Sequence, residues 1–210
     1  MRKKKQLSLR KYIDFYIRNL KNCLERLDYE AVEKTVDTLM DAYRNNRQVF
    51  IIGNGGAASN ASHMACDLGK GTLMREYDEN EPRFRVVSLT DNVAIMTAFA
   101  NDLSYEDIFV QQLRNLIEKD DVLIALSGSG NSINIIKAVE YAKKCQAKTI
   151  GFLGFKTGGK LAKIVDLAII ADSPFYGPSE DLQLILDHII TSWIAKIKGK
   201  HDKEIKKIKL

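Results

Sequence analysis

At 210 residues the chain has room for one well-cored domain, or for one domain with a helical extension. Apolar residues make up 45% and charged residues 28%, as in globular proteins, and no apolar run approaches the ~18–20 residues that span a bilayer. Much of the net charge of +5 sits at the ends, in Arg2, Lys3, Lys4 and Lys5 and in Lys196, Lys198, Lys200, Lys203, Lys206, Lys207 and Lys209. Without aromatic residues interleaved on one face, these lysines are expected to form solvated tails, and no direct nucleic-acid or membrane contact is expected.

Basic Met1–Lys5 is followed by Leu7–Leu20, which polar residues interrupt throughout, so no signal-peptide core is read there. Cys23, Cys66 and Cys145 are widely spaced and form no CxxC pair. They suggest neither a disulfide framework nor a cysteine zinc knuckle. The expectation is a cytoplasmic protein with structural thiols.

From Leu7 to about Asn45 apolar residues recur at helical spacing. Leu9, Ile13, Ile17, Leu20 and Leu24 form one stripe, and Val32, Val36, Leu39 and Tyr43 form another. Two helices are predicted, broken near Leu27–Tyr29, with Asp28 capping the second. Short apolar runs then begin at Val49, Val86, Val122, Thr149 and Leu167. Helical stretches separate them at Ala58–Leu68, Ile95–Ala100, Tyr105–Glu118, Ser132–Cys145 and Gly159–Ile164, and a last helix runs from about Pro178 to Ile197. This alternation predicts an α/β fold, a five-stranded parallel sheet covered on both faces. The boundaries read as a helical extension over 1–46, the α/β domain over 47–198 and a basic tail over 199–210.

Ligands of open parallel sheets bind beyond the carboxyl ends of the strands. Gly53-Asn54-Gly55-Gly56 lies at one such end, directly before a helix. Its glycines admit close backbone approach, and the helix start offers free N–H groups. The motif is neither GxGxxG nor a Walker loop, and a plain tight turn fits it as well. Ser127-Gly128-Ser129-Gly130-Asn131-Ser132 lies at another strand end. Its hydroxyls and amides at a helix N-terminus suit a phosphate, the alternative being a flexible loop with Ser132 as N-cap. His63 and Asp67 are four apart on one helix, and Glu180 and His188 are eight apart on another. These four side chains suit a divalent metal, or an acid and a base for proton transfer. They are equally compatible with surface pairs and a Glu180 that balances a helix dipole.

Taken in order, Gly53-Asn54-Gly55-Gly56 with His63, Asn101-Asp102, Ser127–Ser132 and Glu180…His188 resemble the sugar isomerase (SIS) family, and within it the phosphoheptose isomerase branch. The resemblance covers about Val49 to Trp193, with a matching helical N-terminus. It implies a flavodoxin-like doubly wound sheet and a homotetramer with sites between subunits. It implies that Ser127, Ser129 and Ser132, with Gly128 between them, hold a substrate phosphate. Asn54, Gly55, Gly56, Asn101, Asp102 and Glu180 would line the sugar pocket. Zinc would be held by His63, Asp67, Glu180 and His188, with Asp67 as general base and His188 as its acid–base partner. The implied reaction is aldose–ketose isomerisation of sedoheptulose 7-phosphate to a heptose 7-phosphate through an enediol.

Three departures stand out. Asp67 replaces the branch's Glu and is shorter by one methylene, Glu180 replaces a Gln, and Ala57 replaces a hydroxyl residue. Reach matters here, since a misplacement of ~1 Å costs on the order of 100-fold. A second reading is a non-catalytic phosphosugar-binding protein, because Thr90-Asp91-Asn92-Val93 and Ala100-Asn101-Asp102 resemble a replication-initiator-associating branch of the family. His188 is the residue that separates the two, as that branch lacks it. A third reading is an isomerase of another phosphosugar, for instance one feeding lipopolysaccharide or other surface-glycan synthesis. Surplus apolar surface on the first helices and on Leu182–Ile197 fits either subunit contacts or simple capping of the sheet.

Overall fold

A computed structural model of the chain describes residues 8–73 and 78–199. The basic head Met1–Lys5 and the tail from Lys200 onward, expected to be solvated, lie outside these residues.

Helices α1 (Leu9–Glu25) and α2 (Tyr29–Arg44) occupy the predicted stripes. Asp28 caps α2 as expected, its carboxylate accepting from Ala31 N at 3.0 Å. The five apolar runs are strands: β1 (Gln48–Gly53), β2 (Arg85–Ser88), β3 (Val122–Ser127), β4 (Lys148–Leu153) and β5 (Leu167–Ile170). Between them lie α3 (Gly56–Cys66), α4 (Val93–Asp102), α5 (Val110–Leu116) and α6 (Ile133–Lys144), and α7 (Tyr176–Ile197) closes the fold.

All strand pairs are parallel, in the order β2-β1-β3-β4-β5. From β1 the chain steps outward to β2 and then returns to place β3 on β1's other side. That reversal makes the carboxyl ends of β1 and β3 the topological switch point, where open α/β sheets leave a crevice. The glycine turn and the serine loop follow these two strands.

Alternate strand residues feed two cores. Val49, Ile51, Ile124, Leu126 and Phe152 pack under α2, α3 and α7, against Leu39, Met64, Leu186 and Ile190. Phe50, Ile52, Leu123 and Ala125 pack under α5 and α6, against Leu113, Ile135 and Val139. Thus α2, expected in a helical extension, contributes Val32, Val36, Leu39 and Met40 to the main core.

Three local expectations are corrected. Gly159–Ile164 forms only a 3₁₀ turn over Leu161–Lys163, because Gly158 and Gly159 hold positive φ and break the run before it. Tyr105–Glu118 divides into a 3₁₀ turn at Tyr105–Asp107 and the short α5. Lys198 is no tail residue. It is half-buried, with its side chain largely covered, and bonds Glu81 at 3.0 Å and the Thr72 carbonyl at 3.1 Å. Among the described residues no helix is long and apolar enough to cross a membrane.

Candidate active site

The serine loop is held as a rigid nest. Ser127 Oγ accepts from Gly130 N at 3.0 Å, and Ser129 Oγ accepts from Asn131 N at 3.2 Å. Gly130 takes φ +63°, and a Cβ there would collide with the Gly158 carbonyl. The Asn131 side chain accepts from Lys160 N at 3.0 Å, which ties the loop to the turn after β4. Ser132 occupies the N-cap position of α6, yet its side chain makes no capping bond. Its hydroxyl and the amides of Ile133 and Asn134 therefore remain for an anion, while Ile135 N donates to the Asn134 side chain at 2.9 Å.

The glycine turn joins this nest. Asn54 and Asn134, the second residue of α6, exchange amide bonds of 2.9 Å, and Tyr105 donates to Asn54 at 3.1 Å. Gly55 is the N-cap of α3 with φ +57°, a conformation that favours glycine. The start of α7 closes a third side: the Tyr176 ring packs against Gly128, and the Glu180 carboxylate lies against Gly56. Asn101 and Asp102, at the exposed end of α4, are bonded to each other at 2.9 Å.

From this point α3 and α7 run side by side in the same direction. Glu180 faces Gly56, Asn60 bonds the Glu180 carbonyl at 3.0 Å, and His63 meets His188. Asp67 begins a π-helical turn, Asp67–Gly71, that ends α3. Such turns recur at functional sites because they re-aim side chains within a helix.

His63 Nε2 lies 3.1 Å from His188 Nε2 and 3.4 Å from Asp67 Oδ2. His188 Nε2 is 3.9 Å from the same Asp67 oxygen, and Asp187 Oδ2 is 3.9 Å from His63 Nε2. One ligand atom from each of His63, Asp67, Asp187 and His188 falls within 4.8 Å of the others. Glu180, expected to join this group, stands outside it within this chain, its carboxylate lying against Gly56. Eight helical residues carry it ~12 Å along α7 from His188 and turn it off that face.

Asp187 was missed by sequence reasoning. It is 2% exposed, neither of its oxygens has a hydrogen-bond partner among the described residues, and burial, with Asp67 close by, pushes its pKa up to about 7. Its signal in the sequence is a carboxylate on the core-facing stripe of α7, four residues after Gln183 and four before Thr191, both also buried. Two imidazoles and two carboxylates, one of them buried with both oxygens unpartnered, fit a divalent cation.

The SIS domain family profile matches residues 11–154. A phosphoheptose isomerase from Helicobacter pylori is 36% identical over 178 residues, covering 84% of this chain and 88% of the relative. One from Chlorobaculum tepidum is 30% identical over 187 residues, covering 88% of this chain and 87% of the relative. The solved structure of the Neisseria gonorrhoeae phosphoheptose isomerase superposes with a TM-score of 0.80 at 25% identity, covering 90% of this chain and 100% of that one. With a switch-point nest, a paired α3–α7 groove and these relatives, the chain belongs to the SIS domain family, in its phosphoheptose isomerase branch.

Proposed function

We propose that this chain is an aldose–ketose isomerase that converts sedoheptulose 7-phosphate to D-glycero-D-manno-heptose 7-phosphate. The observation that carries this reading is a separation. The nest sits where α3 begins, and the His–Asp cluster sits where α3 ends. Gly56 to His63 rises ~10 Å along the helix. In an extended seven-carbon chain, carbon 2 and the terminal phosphorus lie roughly 9 Å apart, from single bonds of ~1.5 Å. A phosphate in the nest therefore lays the carbonyl end of a heptose beside His63, Asp67 and His188, and a shorter sugar falls short.

The serine loop and the α6 N-terminus neutralise the phosphate through hydroxyls and amides. Asn54, Gly55, Gly56, Asn101, Asp102 and Glu180 line the path of the sugar hydroxyls. Asp67 Oδ2 is the oxygen turned to both histidines. Its Oδ1 is then the base that takes the carbon 1 proton of the ketose, exchanges it with solvent, and delivers a proton to carbon 2. His188 moves the second proton, from the carbon 1 hydroxyl to the carbon 2 oxygen, so that enediol formation and collapse balance. His63, Asp67 and His188 would hold zinc. When bound, such an ion supplies Lewis-acid stabilisation of the developing oxyanion.

Assembly as a cytoplasmic homotetramer is part of the same proposal. Leu9, Ile13 and Ile17 on α1 and Ile189, Trp193 and Ile197 on α7 are exposed apolar side chains, the kind that subunit contacts cover. The non-catalytic reading is weaker, because His188, which that branch lacks, lies 3.1 Å from His63 and 3.9 Å from Asp67, which supports a role in the site. A panel of five-, six- and seven-carbon ketose phosphates tests the proposal. It expects kcat/KM at least about tenfold higher for the heptulose phosphate, the worth of roughly one additional hydrogen bond. Equal or better turnover of a six-carbon substrate contradicts it.

A further inference from the structure

The orphaned carboxylate of Asp187 has a use that the family's four-residue motif does not assign. Asp187 lies on the buried side of α7, and the polar groups beside it are occupied: Gln183 donates to the Phe152 carbonyl at 3.0 Å, and Thr191 donates to the Asp187 carbonyl at 2.8 Å. A carboxylate removed from water with no donor is costly. The cost becomes larger still when a second carboxylate, Asp67, stands beside it. The same position removes the cost if a cation sits in the cluster, because Asp187 Oδ2 faces His63 Nε2 at 3.9 Å.

The spacing is close to that of a coordination shell. Ligand atoms about 2.0–2.2 Å from a tetrahedral zinc lie roughly 3.3–3.6 Å from each other. Four of the six separations among His63, Asp67, Asp187 and His188 are 3.1, 3.4, 3.9 and 3.9 Å, and all six lie within 4.8 Å, a slightly expanded shell that a cation would draw in. We propose that Asp187 is the fourth protein ligand of the divalent cation, in the place the family pattern gives to Glu180. Glu180 is thereby released to the sugar pocket, where its carboxylate already lies against Gly56. This inference rests on the metal reading above and refines its ligand set.

The test is zinc binding by the full-length, metal-stripped protein, read by isothermal titration and so independent of turnover. Wild type is expected to bind one ion per chain. Asp187→Asn is expected to weaken binding by about 100-fold or more, beyond the 10–100-fold typical of outer-shell changes. Glu180→Gln is expected to stay within about threefold. Removing an unpaired buried charge should leave metal-free Asp187→Asn melting no lower than wild type, which separates lost ligation from misfolding. An anomalous-scattering map of zinc-soaked wild-type crystals needs no variant, and should place the ion about 2.0–2.2 Å from an Asp187 oxygen. No bound ion, Asp187→Asn binding within threefold of wild type, or an ion held by Glu180 with Asp187 beyond ~3 Å overturns the proposal. An ion held by Asp187 in a protein inactive on sedoheptulose 7-phosphate upholds it while the isomerase reading fails.

Discussion

His63 Nε2 and His188 Nε2 stand 3.1 Å apart across 125 residues of sequence. The contact exists because α3 and α7 pack in parallel, with Gly56 against Glu180 and Asn60 bonded to α7 between the two ends. If His188 moves the hydroxyl proton of the enediol, His188→Ala lowers kcat by about 10²–10⁴, the usual range for a positioned acid–base group. Steady-state kinetics with sedoheptulose 7-phosphate measures this. A loss below tenfold contradicts the role.

The serine loop predicts a division between binding and stability. Ser132 makes no capping bond, so Ser132→Ala escapes the ~1 kcal/mol that an N-cap serine usually contributes. Its loss should appear in KM, raised about 10–100-fold, as for a hydrogen bond to a charged group. Ser127 also accepts from Gly130 N inside the protein, and Ser127→Ala should lower both phosphate affinity and melting temperature. Equal effects of the two substitutions on melting contradict this division.

Gly130 carries the loop's shape. It holds φ +63° against the Gly158 carbonyl, where a Cβ has no space. Gly130→Ala combines left-handed strain with a backbone clash, and is expected to cost roughly 2–4 kcal/mol. Urea unfolding measures it, and a change under about 0.5 kcal/mol, the range of an ordinary surface substitution, contradicts it.

Much of this was legible in the sequence, for reasons the residues make plain. Runs such as Val49–Ile52 and Val122–Leu126 are strands buried on both faces, so their apolar continuity marked them without a partner in view. Asp28 marked the start of α2 by the same local chemistry. The serine loop was readable because strand, loop and helix follow one another in sequence. The ligand cluster was only half readable. His63 and Asp67 are linked by helix periodicity, but which α7 residues meet them depends on how two helices dock. The family resemblance, and not helix periodicity, pointed to Glu180, eight residues before His188. Docking turned Asp187 inward instead, a tertiary fact with no local signature beyond a charge in an apolar stripe.

Asp166 gives the account a pH dependence away from the site. Burial alone would raise its carboxyl. Bonds from Lys143 Nζ at 2.7 Å and from Thr149 Oγ1 and N at 2.7 and 2.9 Å outweigh that and hold it below the usual carboxylate range. A folded-state value below the unfolded one, ~3.9, stabilises the protein above that pH and is lost as pH falls through the folded value. The stability advantage of wild type over Asp166→Asn should therefore be constant above about pH 5 and shrink below about pH 4. Urea titrations across this range check it, and an advantage that grows in acid contradicts it.

The most direct test of the isomerase account is proton exchange. Metal-loaded protein is incubated with sedoheptulose 7-phosphate in deuterium oxide and followed by NMR. The account predicts an aldose phosphate carrying solvent deuterium at carbon 2 and, as the reaction reverses, ketose labelled at carbon 1. A ketose that keeps both carbon 1 protons, with no aldose formed by protein that binds the phosphate, would contradict it.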